Sequence, residues 1–401
     1  MRVIVVADFA TRSGGAQRVA VESARAMAEA GAQVVYLHAI AGADPALDYP
    51  GVERICLGLP DIWSRGAASA VLHGVWNREA ARRMARALAP FAAARDTVVH
   101  LHQWTRALSP SILPVLRRAG LPTIVTAHDY FLACPNGVLF RFDTMRPCAL
   151  KPMGTACLMA NCDSKSYPHK LVRVARQAAT ARQWRGWAID VVHISDQARD
   201  RLAPLLPANW RHRRIDNPIA AVRAPPSVIA LGSAFAYVGR LTADKGALIA
   251  ARAAAACKAE MLFIGDGPAR AEIQSILPGA VVTGWVEASR VEAMLRERAR
   301  ALLAPSLWPE TGPMTVLEAA AIGLPAIVSA RCGASERVDA SSGCVVEPTI
   351  EAVAAAMARL QDIDVARAMG GEAYARFWAN PPTPEAHAKA LLALYAEALA
   401  R

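Results

Sequence analysis

No part of this sequence offers the run of about eighteen uncharged apolar residues that a membrane-spanning helix requires. The first residues are not expected to act as a secretory leader. The opening MRVIVVAD is apolar for too few residues, and Asp8 ends it without a small-residue cleavage site. That segment reads as a first buried strand, and the expected location is the cytoplasm. There is no short internal repeat, no long low-complexity tract beyond an alanine bias, and no RNA- or DNA-binding motif. None of the eight cysteines forms a C-x2-C pair, which is poor spacing for a zinc ribbon or knuckle. From Lys165 to Arg185 there is not one acidic residue.

What is present points to two ordinary cores. The 401 residues suit two domains of about 200 residues each. Hydrophobic residues make up 54% and charged residues 20%, which is not a disordered composition. Much of the apolar content is alanine, which favours helix and packs thinly. The net charge is +11, from 45 basic and 34 acidic residues. That balance suggests nucleotides, nucleic acid or an anionic membrane face as partners, without choosing among them.

The first forty residues alternate in type. A strand at 3–7 meets the loop Thr11-Arg12-Ser13-Gly14-Gly15, a helix follows at 16–30, Gly31 ends it, and a second strand runs over 33–38. This β-loop-α-β unit opens a parallel, helix-covered sheet. Apolar runs at 97–101, 123–127 and 191–194 predict further strands. Residues 217–232, rich in proline and small side chains, make the best linker. Beyond it strands are expected at 235–238, 261–264, 280–283, 301–304, 326–329 and 344–346, with a final amphipathic helix over 384–401. Two βα domains in tandem imply a cleft, with ligands bound beyond the carboxyl ends of the strands.

Three motifs fall in strand-to-helix loops. In Pro309-Glu310-Thr311-Gly312-Pro313 a helix is expected to start near Pro313 as an N1-type proline and to end before Gly323. The amides of Gly312, Met314 and Thr315 then form an anion-binding helix start. Glu310 precedes that helix, and Glu318 lies roughly 7–9 Å further along it. Two carboxylates flanking an anion site suit a nucleotide-sugar, and two solvated surface glutamates are the plain alternative. The second motif is Tyr237-Val238-Gly239-Arg240-Leu241 with Asp244-Lys245-Gly246. Its arginine and lysine can hold the charge that grows on a departing diphosphate, or be ordinary surface basicity. The third, Ile264-Gly265-Asp266-Gly267-Pro268, allows a tight turn and close ligand approach.

The order YVGRL…DKG, FIGDGP, TGWV and APSLWPETGPMTVLEAAAIGLPAIVS resembles the retaining GT-B glycosyltransferases of family 4, whose carboxylate pair is also spaced E-x7-E. The resemblance covers most of residues 234–329. It implies an α/β GT-B fold, two Rossmann-like domains whose parallel sheets face each other across a cleft, and an NDP-sugar donor (UDP or GDP) held mainly by the second domain. No metal is required at the catalytic centre. By position, Arg240 and Lys245 bind the diphosphate, Glu318 the ribose and Glu310 the donor sugar, while Trp285 and Val286 lie in the base-binding loop. Where the family often reads E-G-F-G or E-P-F-G, this sequence has Glu310-Thr311-Gly312-Pro313, and the proline removes one N–H donor from the phosphate-facing turn. In the first domain Gly14-Gly15 matches the family's glycine-rich loop, with Gly15 the better candidate and Arg18 nearby. His128, in Thr126-Ala127-His128-Asp129-Tyr130, matches a site residue near the transferred sugar. A histidine that merely caps a strand end is the alternative.

Two features lie outside that site. Cys134, Cys148, Cys157 and Cys162 are close in sequence, and in a reducing cytosol they suit a structural Zn²⁺ or an iron–sulfur cluster better than disulfides, or else are simply packed. They sit in a stretch that looks like an acceptor-side insertion of bacterial polysaccharide transferases. Lys165, Lys170, Arg173, Arg176, Arg182 and Arg185, with Tyr167, Trp184 and Trp187 beside them, suit an anionic membrane surface. Arg78, Arg82, Arg83 and Arg86 add a second basic face, and solvated helix faces are the plain reading of both. The resulting expectation is an N-terminal acceptor domain over 1–218 with a cysteine-containing insertion at about 131–190, a donor domain over 219–375, and C-terminal helices over 376–401 that pack back on the first domain. Its function is retaining hexosyl transfer from an NDP-sugar to a glycan or polyprenyl-linked acceptor in exopolysaccharide synthesis, with peripheral attachment to the inner membrane face and no nucleic acid partner. A GT-B epimerase or phosphorylase, and a non-catalytic nucleotide-sugar or anionic-surface binder, are the alternatives.

Overall fold

The computed structural model describes residues 1–92, 94–229 and 232–401. The chain divides into two compact units: Met1–Asp143 with Cys148–Pro218 and Pro382–Arg401, and Thr144–Pro147 with Ile219–Pro381. The change of unit therefore falls early in the expected linker, whose positions 230 and 231 lie outside the described residues.

In chain order the elements begin with β1 (Arg2–Ala7), α1 (Gly15–Glu29), β2 (Gln33–His38), β3 (Val52–Cys56), α2 (Ala67–Val75), α3 (Arg78–Leu88), β4 (Thr97–Leu101), α4 (Leu113–Ala119) and β5 (Thr123–Ala127). The stretch after β5 holds β6 (Phe140–Arg141), β7 (Arg146–Pro147), α5 (Thr155–Met159) and α6 (Tyr167–Trp184), followed by β8 (Asp190–His193), α7 (Asp196–Leu202) and β9 (Arg211–Arg214). Seven strands pair in parallel in the order β3-β2-β1-β4-β5-β8-β9. In β4, β5 and β8 every residue is buried, as a parallel sheet covered on both faces requires. Two strands of this sheet escaped the sequence reading. β3 (VERIC) is mostly exposed at the sheet edge and shows no apolar run. β9 (RHRR) is almost all cationic, and its arginines are matched by carboxylates: Arg211 Nε lies 2.9 Å from Asp190, and Arg213 pairs with Glu397 at 3.2 Å.

The second series runs β10 (Ala234–Val238), α8 (Ala247–Cys257), β11 (Met261–Ile264), α9 (Arg270–Ile276), β12 (Val281–Val282), α10 (Ala288–Arg298), β13 (Ala299–Ala304), α11 (Met314–Ala321), β14 (Ala326–Ser329), β15 (Gly343–Val346), α12 (Ile350–Gln361) and α13 (Ile363–Ala379). Its six strands are again parallel, in the order β12-β11-β10-β13-β14-β15. Alanines let α8 lie close on its sheet, with Ala247, Ala250, Ala251, Ala253 and Ala254 all buried. The last helix, α14 (Pro384–Leu399), belongs to the first unit. Its buried Ala388, Leu391, Leu394, Tyr395 and Ala398 follow helical spacing and join the core that holds α1.

In both sheets the chain moves outward from a central strand, then returns to its other side. That places the reversal between β1 and β4 in one unit and between β10 and β13 in the other. In open α/β sheets, ligands bind beyond the carboxyl ends of the strands at such a reversal.

Candidate functional site

In the second unit the loops after β10 and β13 leave the sheet at its reversal, and they carry Arg240, Lys245 and Glu310. The two loops are tied together, since Leu307 N donates to Asp244 O at 2.9 Å. Gly246 makes this approach possible. It has φ +77°, and a Cβ there would lie 2.0 Å from the Pro305 carbonyl oxygen. Gly265, at the end of β11, is pressed equally close to Gly239. The result joins residues far apart in sequence: Lys245 Nζ lies 3.3 Å from Glu310 Oε2. Ser306 Oγ donates to the other carboxylate oxygen of Glu310, and Gly333 N donates to the Glu310 carbonyl at 2.8 Å. Glu310 is buried, so this cradle holds its carboxylate in one orientation.

Tyr237, the fourth residue of β10, supports the cationic loop from beneath. Its hydroxyl donates to Arg240 O at 3.0 Å, with Lys245 O at 3.4 Å. Burial, aided by the negative charges of Glu310 and Asp244, raises its pKa, so it remains a donor. Arg240 itself is exposed. Sequence reading missed Ser306 and Tyr237; an O–H at the end of each reversal strand was the signal available.

The helix start differs from expectation. α11 begins at Met314, and Pro313 is its N-cap, extended at ψ 127°, not its first helical residue. The missing proline N–H therefore falls before the helix, and the amides of Met314 and Thr315 are intact. No side chain caps this end, which leaves it suited to an anion. Glu318 is part-buried in α11, Trp285 is exposed, and Val286 packs against the core of the unit.

In the first unit, Asp8 follows β1 and accepts from the amides of Arg106, Ala107 and Leu108 at 2.8, 2.8 and 3.0 Å, fixing the loop after β4. His102, Thr126, His128 and Asp129 line a hollow at the ends of β4 and β5. Burial lowers the His128 pKa to about 3 and raises that of Asp129 to about 6. His102 Nδ1 is 2.9 Å from His128 Nε2, and His102 carried no signal in the sequence reading. Gly15 is the exposed first residue of α1, and Gly14 is its extended N-cap. Arg18 Nε is engaged with Glu22 at 2.7 Å.

Two family matches cover these loops. Residues 14–150 match the "Glycosyl transferase 4-like domain" and residues 232–362 match "Glycosyl transferases group 1", together more than half of the chain. The chain belongs to the GT-B glycosyltransferases. Its fold is similar to that of a sucrose-phosphate synthase from Thermosynechococcus elongatus, with TM-score 0.70, 17% identity, and coverage of 100% of this chain and 99% of that one. It is also similar to Anabaena HepE solved with UDP and glucose, with TM-score 0.68, 13% identity, and coverage of 99% and 100%. Among curated proteins it is similar to a Mycobacterium tuberculosis enzyme described as a GDP-mannose-dependent alpha-(1-6)-phosphatidylinositol dimannoside mannosyltransferase. They share 32% identity over 128 residues, 30% of this chain and 33% of that protein, so the match spans only a third of the relative's length.

In this GT-B glycosyltransferase the cysteines do not form the expected metal centre. Among the described residues no group of three or more His, Cys, Asp or Glu side chains is arranged to hold an ion, and Cys134, Cys148, Cys157 and Cys162 are free thiols. The stretch is organised around Asn136, which accepts from Cys134 Sγ at 3.0 Å and donates to the carbonyls of Phe140 and Cys162 at 2.7 and 2.9 Å. Burial raises the Cys134 thiol to about 11, which keeps it protonated. The basic stretch from Lys165 to Arg185 is also largely spoken for. Lys170 is fully buried and donates to the carbonyls of Cys157 and Ala160, while Arg173 pairs with buried Asp163 at 3.1 Å. Arg176 lies over the Phe131 ring, and burial lowers its pKa to about 10. Within α3, Arg83 pairs with Glu79 at 2.7 Å.

Proposed function

We propose that this chain transfers a sugar from a UDP- or GDP-sugar to a hydroxyl of a glycan or lipid-linked acceptor, with retention at the anomeric carbon. The observation that carries the reading is the cradle at the second sheet's reversal, where Lys245, Glu310 and Ser306 meet beside Arg240 and the uncapped start of α11. In the reading, Arg240 and Lys245 take the diphosphate, supported by the amides of Gly312, Met314 and Thr315. Lys245 then exchanges its contact with Glu310 for phosphate oxygen, which frees that carboxylate oxygen to accept from the hydroxyls of the donor sugar while Ser306 keeps the other. Glu318 accepts from ribose and Trp285 and Val286 meet the base, while Gly15 and His128 are the sugar-site residues assigned to the first unit. The bond from the anomeric carbon to the diphosphate oxygen breaks with its electron pair leaving on the diphosphate. The acceptor oxygen attacks from the same face, and its proton passes to the departing phosphate oxygen. No covalent role for Glu310 is needed, unlike that of the nucleophile in retaining glycosidases. The epimerase, phosphorylase and non-catalytic readings lack a feature of their own.

A thermal-shift screen of UDP-, GDP- and ADP-sugars tests this, because a ligand of the folded state raises its melting temperature. At least one should stabilise the wild type, and Glu318→Ala should abolish the shift. No stabilisation by any of them defeats the reading. The anomeric configuration of the product, read by NMR, decides retention.

We further infer peripheral docking on an anionic bilayer in surface polysaccharide synthesis, by a surface that takes only Lys165 from the basic stretch. Ala68, Val71, Leu72 and Val75 form one stripe of α2, and Val71 and Leu72 are 43% and 69% exposed. Exposed Trp63 and Trp76 flank the helix, and Lys165 Nζ sits 3.4 Å from the Trp63 ring centre. Apolar residues between interfacial tryptophans, with cations beside them, suit a lipid surface. One helix of nine residues is far smaller than the ~800 Å² per partner of a stable protein interface. Among the described residues no helix is long and apolar enough to cross a membrane. Leu72→Glu should weaken binding to vesicles containing phosphatidylglycerol; unchanged binding removes the idea.

A further inference from the structure

The first unit's hollow contains a histidine pair whose hydrogen-bonding options are narrow. His102 Nδ1 and His128 Nε2 stand 2.9 Å apart, so a single N–H lies between them. Both rings are kept neutral by burial, hence each carries one N–H. If His128 supplies the bridging hydrogen, the N–H of His102 lies on Nε2. That atom is buried and has no partner in the protein. If His102 supplies it from Nδ1, its Nε2 presents a lone pair, and the N–H of His128 lies on Nδ1. A buried N–H without a partner is rarer and costlier than an unfilled acceptor, so the second arrangement prevails in the unliganded protein.

The ring of His102 is also held in place. Its ring centre lies 4.2 Å from that of His100, tilted at 38°, and 5.2 Å from that of the hydrogen-bonded His128. His100 is itself tethered on both sides, to Thr126 Oγ1 at 2.7 Å and to the Tyr395 hydroxyl of α14. His102 therefore cannot turn to satisfy Nε2 elsewhere without breaking the pair. It also lines the same hollow as His128, Thr126 and Asp129. A preorganised, neutral acceptor of this kind fits a ligand hydroxyl, whose O–H can donate to it.

We propose that His102 belongs to the sugar-binding site in two ways: its Nε2 accepts a hydrogen bond from a sugar hydroxyl, and its Nδ1–H fixes His128 with the N–H on Nδ1. The first function makes it a ligand-touching residue, the second a positioning residue. Only the identity of the ligand rests on the glycosyl-transfer reading; the tautomer assignment does not.

Asparagine and glutamine separate the two functions, since the side-chain amide of asparagine replaces a histidine Nδ1 and that of glutamine replaces Nε2. Long-range ¹H–¹⁵N spectra of histidine-labelled, unliganded protein should show His128 with its N–H on Nδ1. His102→Asn should keep that state, while His102→Gln and His102→Phe should lose it. In transfer assays with the donor found by the thermal screen, His102→Phe should lower kcat/KM by about a hundredfold. His102→Asn and His102→Gln should each fall by about tenfold, the scale of one lost buried hydrogen bond. Stabilisation by the free nucleotide should be unchanged in all three. Finding His128 with its N–H on Nε2, or wild-type kcat/KM in His102→Phe, overturns the proposal. Absence of transfer in the wild type instead defeats the proposed function, and the spectra still decide the tautomer.

Discussion

At the scale of single residues, the most consequential contact is the one between Lys245 and Glu310. Sequence reading treated them as members of separate motifs, 65 positions apart. Their pairing follows from two glycine-permitted loops that leave neighbouring strands, and neither loop's own residues reveal the other. Glu310 is 10% exposed at its side chain and Lys245 27%, so the pair is neither a free surface bridge nor a fully dry one. Lys245→Ala leaves a mostly buried carboxylate that still accepts from Ser306 Oγ. The expected cost is about 1–2 kcal/mol of stability, between the surface and buried limits. Denaturant melts measure that loss, and nucleotide-sugar stabilisation should vanish in the same variant. A variant that melts lower yet still responds to the donor would confine Lys245 to a structural part.

At the scale of elements, α14 shows what amphipathic pattern can and cannot convey. Its apolar spacing, Thr383 cap and Pro384 start were readable, and residues 384–401 were expected to be helical. Its destination does not follow from that pattern, because an apolar stripe specifies only that something covers it, although residues 376–401 were expected to pack back on the first domain. In the structure the helix packs in the core of the first unit, with Ser23 Oγ 2.8 Å from His387 and Arg401 paired with Asp190 at 2.6 Å. Leu391 is fully buried there, so Leu391→Ala should cost about 2–5 kcal/mol. Since Tyr395 of the same helix braces His100, this variant should also broaden the His100 and His102 ring signals. Unchanged stability would mean that α14 is not seated as described.

At the scale of the whole molecule, titration behaviour separates the two units. All nine histidines lie in the first. Burial holds His387 at about 4, His128 and His193 at about 3, and His100 and His102 well below their ordinary value of 6.5. An unfolded chain takes up these protons near pH 6.5 and the folded one does not. Their contribution is therefore complete above that pH and is lost as pH falls towards the folded values. Asp129 acts in the opposite sense: raised to about 6, it favours folding below its ordinary 3.8 and loses that contribution as pH rises through 6. Burial raises Asp8 in the same sense as Asp129, and it lowers His38 and His212 with the other five, so seven histidines outweigh two carboxyls and the net expectation is weakening of the first unit between pH 6.5 and 4. Hydrogen exchange, corrected for intrinsic rates, should show protection falling in its segments and holding in Ile219–Pro381 over the same range. Equal loss in both would contradict the assignment.

Local order was written plainly in the chain. Buried parallel strands need unbroken apolar runs, and motifs such as Gly239-Arg240-Leu241 sit where such a run ends, so strand positions and the candidate donor loops could be read one after another. Contacts between distant segments could not. The edge strands β3 and β9 lacked apolar runs because one is solvated and the other is neutralised by carboxylates supplied from elsewhere. The cysteines and the basic stretch suggested a metal and a lipid surface because sequence records residue type and not neighbours. Folding gave those side chains carbonyls, carboxylates and an aromatic ring as partners, and left the apolar stripe of α2 outside. Composition and period act over a few residues and specify elements. Which side chains meet depends on strand order, and strand order is decided only when the whole sheet forms.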